Sequence, residues 1–280
     1  MITRRDFGLI GLAFAAQSGL GHAAQYNRIL SIGGSVTEII YALDQGHRLI
    51  ARDTTSTYPP QALDLPDVGY ARALAAEGVL SVGPELIIAE EGAGPPETID
   101  LLEQSNIPFI TAPDTYSRQG VLDKIRVVGD ALQVPEKAST LARKVDGEIA
   151  AATHGITNGD QKRVLFIIST QGGRITASGI DTAADGMISL AGGINAISSF
   201  TGYKQVSDEA ITAAAPDTIL MMDRGGDHGA PDNVLFNMPA IATTPAGQNR
   251  SVIRMNGLLL LGFGPRTGQA VKQLNTALYG

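Results

Sequence analysis

Two stretches of this chain alternate short apolar runs with helix-period segments, and a purely helical stretch separates them. In the first, the runs at 28–32, 48–51, 85–89 and 108–111 read as buried strands, with helices at 35–43 and 97–105. Ser35, with Glu38 three residues on, is the expected capping box of the first helix. From residue 120 the alternation stops. Val121, Ile125, Val128 and Leu132 recur at helical spacing, and Pro135 is well placed to open a second helix carrying Ala138, Leu141, Val145 and Ile149. Running to about residue 152, that helix would be about 27 Å long, enough to bridge two lobes. Strands return at 163–169, just after Arg174, at 218–222 and at 251–255, with helices at 181–191, 206–215, 232–236 and 267–279. The pattern predicts an α/β fold: two doubly wound lobes with parallel sheets, at 24–118 and 159–280, joined by a long rigid helix within 119–158.

The first 23 residues stand apart from this plan. MITRRDF pairs Arg4 and Arg5 ahead of an apolar, Gly-rich stretch ending near Leu20, with small residues at Gly21 and Ala23. An apolar run of about 14 residues is short of the roughly 20 that span a bilayer, so the segment reads as an export signal cut after Ala23. Its Arg-Arg order resembles a twin-arginine signal, although Gly8 and Leu9 depart from the usual tail; the general export route is the alternative. The mature chain is then acidic, outside the cytoplasm and not embedded in a membrane. Two counts narrow its chemistry. With 21 Lys and Arg against 28 Asp and Glu, and no basic run, nucleic acid is not an expected partner. With no Cys there is no disulfide, thiolate site or thiol nucleophile.

The segment 67–78, DVGYARALAAEG, holds the most specific chemistry. Tyr70 follows a flexible Gly69 and precedes Arg72, while Leu74, Val79 and Leu80 form an apolar stripe that anchors the segment. A neighbouring cation favours a phenolate over a phenol, and a phenolate oxygen is a ligand that holds ferric haem in catalase. A surface tyrosine capping a core is the alternative. The loops at Gly33, Asp53, Tyr70 and Gly92 follow strands or lie between them, so they are expected to share one rim, where ligands of parallel sheets bind. The pair Gly33-Gly34 suggests a phosphate cradle only weakly, because neither the dinucleotide fingerprint nor a GK[ST] ending is present. No G-x-S-x-G or H-E-x-x-H motif points to catalysis, and a hydrolase or nucleotide enzyme is the distant alternative.

Taken together, GGSVTEIIYAL, DTTSTYPP, DVGYARALAAEG, EGAGPP, DTAADGMISLAGGINA, VSDEAITAAAPD and LLLLGFGPR make the chain similar to the periplasmic haem-binding proteins of bacterial ABC haem importers. The resemblance spans nearly the whole mature chain, and VGYxR is the part that separates haem binders from cobalamin and siderophore binders of the same architecture. It implies two Rossmann-like lobes of a class III substrate-binding protein, a monomer that holds haem (hemin) in its cleft and is not an enzyme. It implies Tyr70 as the axial iron ligand and Arg72 as the cation beside it. It also implies an importer permease dimer as partner, met by Glu77 in the first lobe and Glu209 in the second, and an outer-membrane haem receptor system upstream. The loop 169–173, STQGG, lacks the histidine that some members add. His22 leaves with the signal, His47 and His154 suit surface positions, and His228 is the one that can approach the cleft as a second iron ligand. Arg174 and Arg224 are candidates for the haem propionates, or else solvated surface charges.

Overall fold

The computed structural model describes residues 25–156, 160–223 and 230–280; the expected export segment 1–23, Arg224 and His228 lie outside them. The first half builds a four-stranded parallel sheet from β1 (Ile29–Ile32), β2 (Leu49–Arg52), β3 (Leu86–Glu90) and β4 (Phe109–Ala112), in the order β2-β1-β3-β4. Runs such as ILSI and LIIAE carry apolar residues on both faces, which is what a sheet covered on both sides demands. Three helices cross between these strands: α1 (Gly34–Ala42), α2 (Ala76–Ser81) and α3 (Pro96–Glu103).

The capping box expected at α1 does not form. Gly33 takes the cap position at φ 108° without any side-chain cap, and its N–H donates to Asp53 Oδ1 at 2.9 Å. Ser35 instead donates to the Glu90 carboxylate, and Glu38 makes a bidentate pair with Arg266 at 2.8 and 2.9 Å. Both side chains are claimed by partners far along the chain, and a charge-assisted pair outweighs a local cap.

The helical region is α4 (Arg118–Ala131) and α5 (Pro135–Thr153). Ser117 caps α4 by accepting the Gly120 N–H at 3.1 Å, and Pro135 opens α5 as its sequence position suggests. A Cβ added at Gly129 of α4 would stand 2.1 Å from the Ala138 Cβ, so these two helices cross at a point where only glycine fits.

The second sheet is mixed, which corrects the expectation of parallel strands throughout. It comprises β5 (Arg163–Ser169), β6 (Ile175–Ser178), β7 (Ile194–Asn195), β8 (Tyr203–Val206), β9 (Thr218–Asp223) and β10 (Val252–Asn256), ordered β10-β9-β5-β6-β8 with β7 beside the start of β5. The strands β5, β9 and β10 run parallel, whereas β6 and β8 run antiparallel to their neighbours. Residues 170–174 are too few for the crossover a parallel pair requires, and Gly172 and Gly173 turn the chain back at φ 64° and 74°. The helix expected at 206–215 is shorter, because Val206 closes β8 and Ser207 caps α7 (Asp208–Ala214). The remaining helices are α6 (Ala183–Leu190), α8 (Asp232–Leu235), α9 (Pro239–Ala242), α10 (Pro245–Gln248), α11 (Gly257–Leu261) and α12 (Thr267–Tyr279).

One apolar cluster runs through both halves. Val36 and Ile39 of α1, Ile125 and Val128 of α4, and Val145 and Ile149 of α5 belong to it, together with Phe166, Met187, Leu260, Phe263 and Leu274 of the second half. Among the described residues, no helix is long and apolar enough to cross a membrane.

Candidate functional site

A cleft of about 610 Å³ opens where the two sheets face each other. Gly34 and Ser35 after β1, Thr55 and Tyr70 after β2, Glu90 and Gly92 at the end of β3, and Asp114 after β4 form one wall. Ile168 of β5, Met222 of β9, Asn256 of β10, and Leu258 and Leu261 of α11 belong to the other. The expected rim therefore assembles at the carboxyl ends of the parallel strands. Asp53 sits beneath it, fully buried, where its carboxylate accepts from Gly33, Thr55 and Ser56. A larger open groove of about 1040 Å³ lies along α1, α5 and α12. It is away from the strand ends, and its Glu38 and Arg266 already satisfy each other.

Tyr70 is held on a turn pinned from both sides. Upstream, Arg52 pairs with Asp67 at 2.9 Å, Asp67 accepts the Gly69 N–H at 2.8 Å, and Thr54 donates to the Gly69 carbonyl at 2.9 Å. Downstream, Ala73 bonds back to the Tyr70 carbonyl, Gly94 to Ala71, and Leu74 to Gly94. Gly69 sits at φ 105° with open space around it, so conformation rather than room requires glycine there. The turn leaves the Tyr70 side 49% exposed at the cleft. Leu74 and Val79 anchor the segment in the core, but Leu80 is 38% exposed and takes no part.

Arg72 lines the same cleft, with Nη1 3.4 Å from the Gly92 carbonyl. Its charge also reaches two phenols that the sequence did not single out. Tyr116 is pushed up to about 12, by burial first and then by Asp114, with Arg72 opposing. Tyr203 is also raised by burial, with the neighbouring polar groups of Thr182 and Ala184 and the Arg72 charge opposing. No local pattern marks either residue; their place in the cleft comes from where the strands end.

The cleft floor is a buried ion cluster, also unmarked in the sequence. Lys124 of α4 is fully buried, 2.6 Å from Glu90 Oε1, 2.7 Å from Asp114 Oδ1 and 3.0 Å from Ser35 Oγ. Its Nζ also approaches the Gly262 carbonyl of the second half at 3.4 Å. Burial works against the Lys124 charge, yet the two carboxylates hold its pKa above the usual range. Burial raises Glu90, with Lys124 opposing. A buried cation with two acids is stable only as a set.

The other residues singled out from sequence fall elsewhere. Arg174 is exposed at the start of β6 and is not part of the cleft lining. Glu77 and Glu209 are exposed in the first turns of α2 and α7. The Glu209 carboxyl is lowered by its own backbone N–H and by Ser207, and Ser207 caps α7 through the Ala210 N–H at 3.3 Å. Among the described residues, no group of three or more His, Cys, Asp or Glu could hold a bare metal ion.

Two α/β halves that share a core and enclose a cleft between their strand ends have the architecture of a solute-binding protein. The chain belongs to the periplasmic binding protein family, whose profile matches residues 29–257. It is 40% identical to the periplasmic heme-binding protein RhuT from Roseiflexus sp. RS-1, with a TM-score of 0.86 over 90% of this chain and 98% of that one. It is 34% identical to the periplasmic heme-binding protein HutB of Vibrio cholerae, with a TM-score of 0.79 over 90% and 99%. A vitamin B12-binding protein of Vibrio cholerae is 28% identical, over 95% of this chain and 94% of its own.

Proposed function

We propose that the protein captures ferric haem in this cleft and delivers it to the permease of an ABC importer. Tyr70 is the axial ligand through its phenolate, and Arg72 supplies the positive charge beside it. The observation that carries the reading is the pinned turn: a half-exposed phenol in a cleft that Arg72 also lines, with Ile168, Met222, Leu258 and Leu261 on the other wall, which suits a flat apolar macrocycle. Hard anionic oxygen is a fitting partner for ferric iron. The similarity to the heme-binding proteins named above supports the same cargo. In this reading residues 24–118 and 159–280 are the two lobes, and a twin-arginine signal at 1–23 sends the chain to the periplasm.

The test is spectroscopic. Purified protein mixed with ferric haem should show the high-spin charge-transfer bands of a tyrosinate complex, and Tyr70→Ala should lose them along with most of the affinity. An unchanged spectrum and affinity in the variant would overturn the ligand assignment. Tight cobalamin binding without haem binding would replace the cargo by that of the vitamin B12-binding relative.

A further inference from the structure

The second half of the chain contributes a phenol of its own to the cleft. Tyr203 opens β8 opposite Ser178 of β6, and its ring stands edge-on to Phe166 at 6.2 Å, so sheet and core fix its direction. Its phenol lines the cleft next to Thr182 and Ala183, where α6 begins. A neutral phenol carries an O–H donor as well as acceptor lone pairs. Burial raises the Tyr203 phenol above its usual range, which favours the neutral form. It is therefore a donor rather than an anionic ligand.

We propose that Tyr203 is a neutral hydrogen-bond donor to whatever small oxygen or halide ligand occupies the haem iron on the face opposite Tyr70. The inference rests on the haem reading above. Once Tyr70 fixes the iron from the first half, the other face of the plate meets the second half, and the sixth position is the point on that face able to accept a hydrogen bond. Around Tyr203 the wall includes Gly202, Thr182 and Ala183, small side chains that leave the plate room to approach, with Asp181 next to them. The partner from the second half is thus a phenol acting through a proton.

Fluoride is a strong hydrogen-bond acceptor at ferric iron, whereas imidazole binds there without needing a donor. Wild type and Tyr203→Phe, both loaded with ferric haem, are titrated with each. The phenylalanine keeps the packing against Phe166. The expected result is a loss of about tenfold in fluoride affinity in the variant, with imidazole affinity unchanged. Equal fluoride affinities, or no fluoride binding to either protein, overturn the donor role. Parallel losses for both ligands reduce Tyr203 to a packing residue. Fluoride binding in the variant alone means that Tyr203 itself occupies the sixth position. If wild type takes up no haem, the cargo assignment fails instead, and that outcome is visible before any fluoride is added.

Discussion

Lys124 is the residue on which the cleft floor depends. Removing its ammonium would leave Glu90 and Asp114 buried together with no countercharge, and breaking one partner of a buried ion cluster typically costs about 3–5 kcal/mol. Lys124→Met, which keeps the aliphatic bulk, should lower the urea midpoint of the apo-protein accordingly. The sign of its pH dependence follows from Glu90, whose pKa burial already raises. A carboxyl raised in the folded state favours folding while protonated and disfavours it as pH rises through that pKa. Without Lys124 the shift grows, so the deficit against wild type should be smaller at about pH 5 than at about pH 8. A deficit independent of pH would show that the loss comes from packing and not from charge.

At the scale of elements, the crossing of α4 and α5 sets how the helical region sits against both sheets. It is made possible by Gly129, where a side chain would collide with Ala138. In an isolated helix, glycine to alanine stabilises by roughly 1 kcal/mol. Here the contact at 2.1 Å reverses the sign, and Gly129→Ala should destabilise by about 1–3 kcal/mol, as overpacking does. Ala138→Gly in the same chain frees the space and should recover most of the loss, less its own helix-propensity cost. Thermal melts of the two single variants and the double variant measure the coupling directly. Simple additivity would mean that the helices separate without penalty and that the crossing is not fixed by this contact.

At the scale of the molecule, the two halves are tied by more than a connecting helix. The shared apolar cluster, the Lys124 contact with the Gly262 carbonyl, and the Arg266 pair with Glu38 all cross between them. Tyr58 stacks over the Arg266 guanidinium at 3.6 Å, adding a cation–π contact to that pair. So built, the protein presents surface charges at a fixed spacing, and a permease can read that spacing. Glu77 and Glu209 are exposed in the first turns of two helices, one in each half. With docking assigned to them, Glu77→Lys with Glu209→Lys should leave haem affinity intact and cut the haem-stimulated ATPase activity of the reconstituted importer severalfold, because rim charges govern encounter. Transport at the normal rate in the double variant would remove the docking role from these two acids.

Local patterns settled a good part of this protein before any contact was known. Helical spacing and Pro135 placed α5, the buried run RVLFIIS placed β5, and Gly69-Tyr70-x-Arg72 marked a turn that lines the cleft, because each is governed by backbone preference and side-chain order within a few residues. Tertiary structure alone decided the rest. Ser35 and Glu38 left the capping box for partners brought near only by folding. The sheet of the second half became mixed once a short glycine turn sent β6 back along β5. Tyr116, Tyr203 and Lys124 have ordinary neighbours in the chain, and their roles arise from strand ends and a helix meeting at one cleft. Electrostatic pairing and burial act through space, across separations that no sequence window spans.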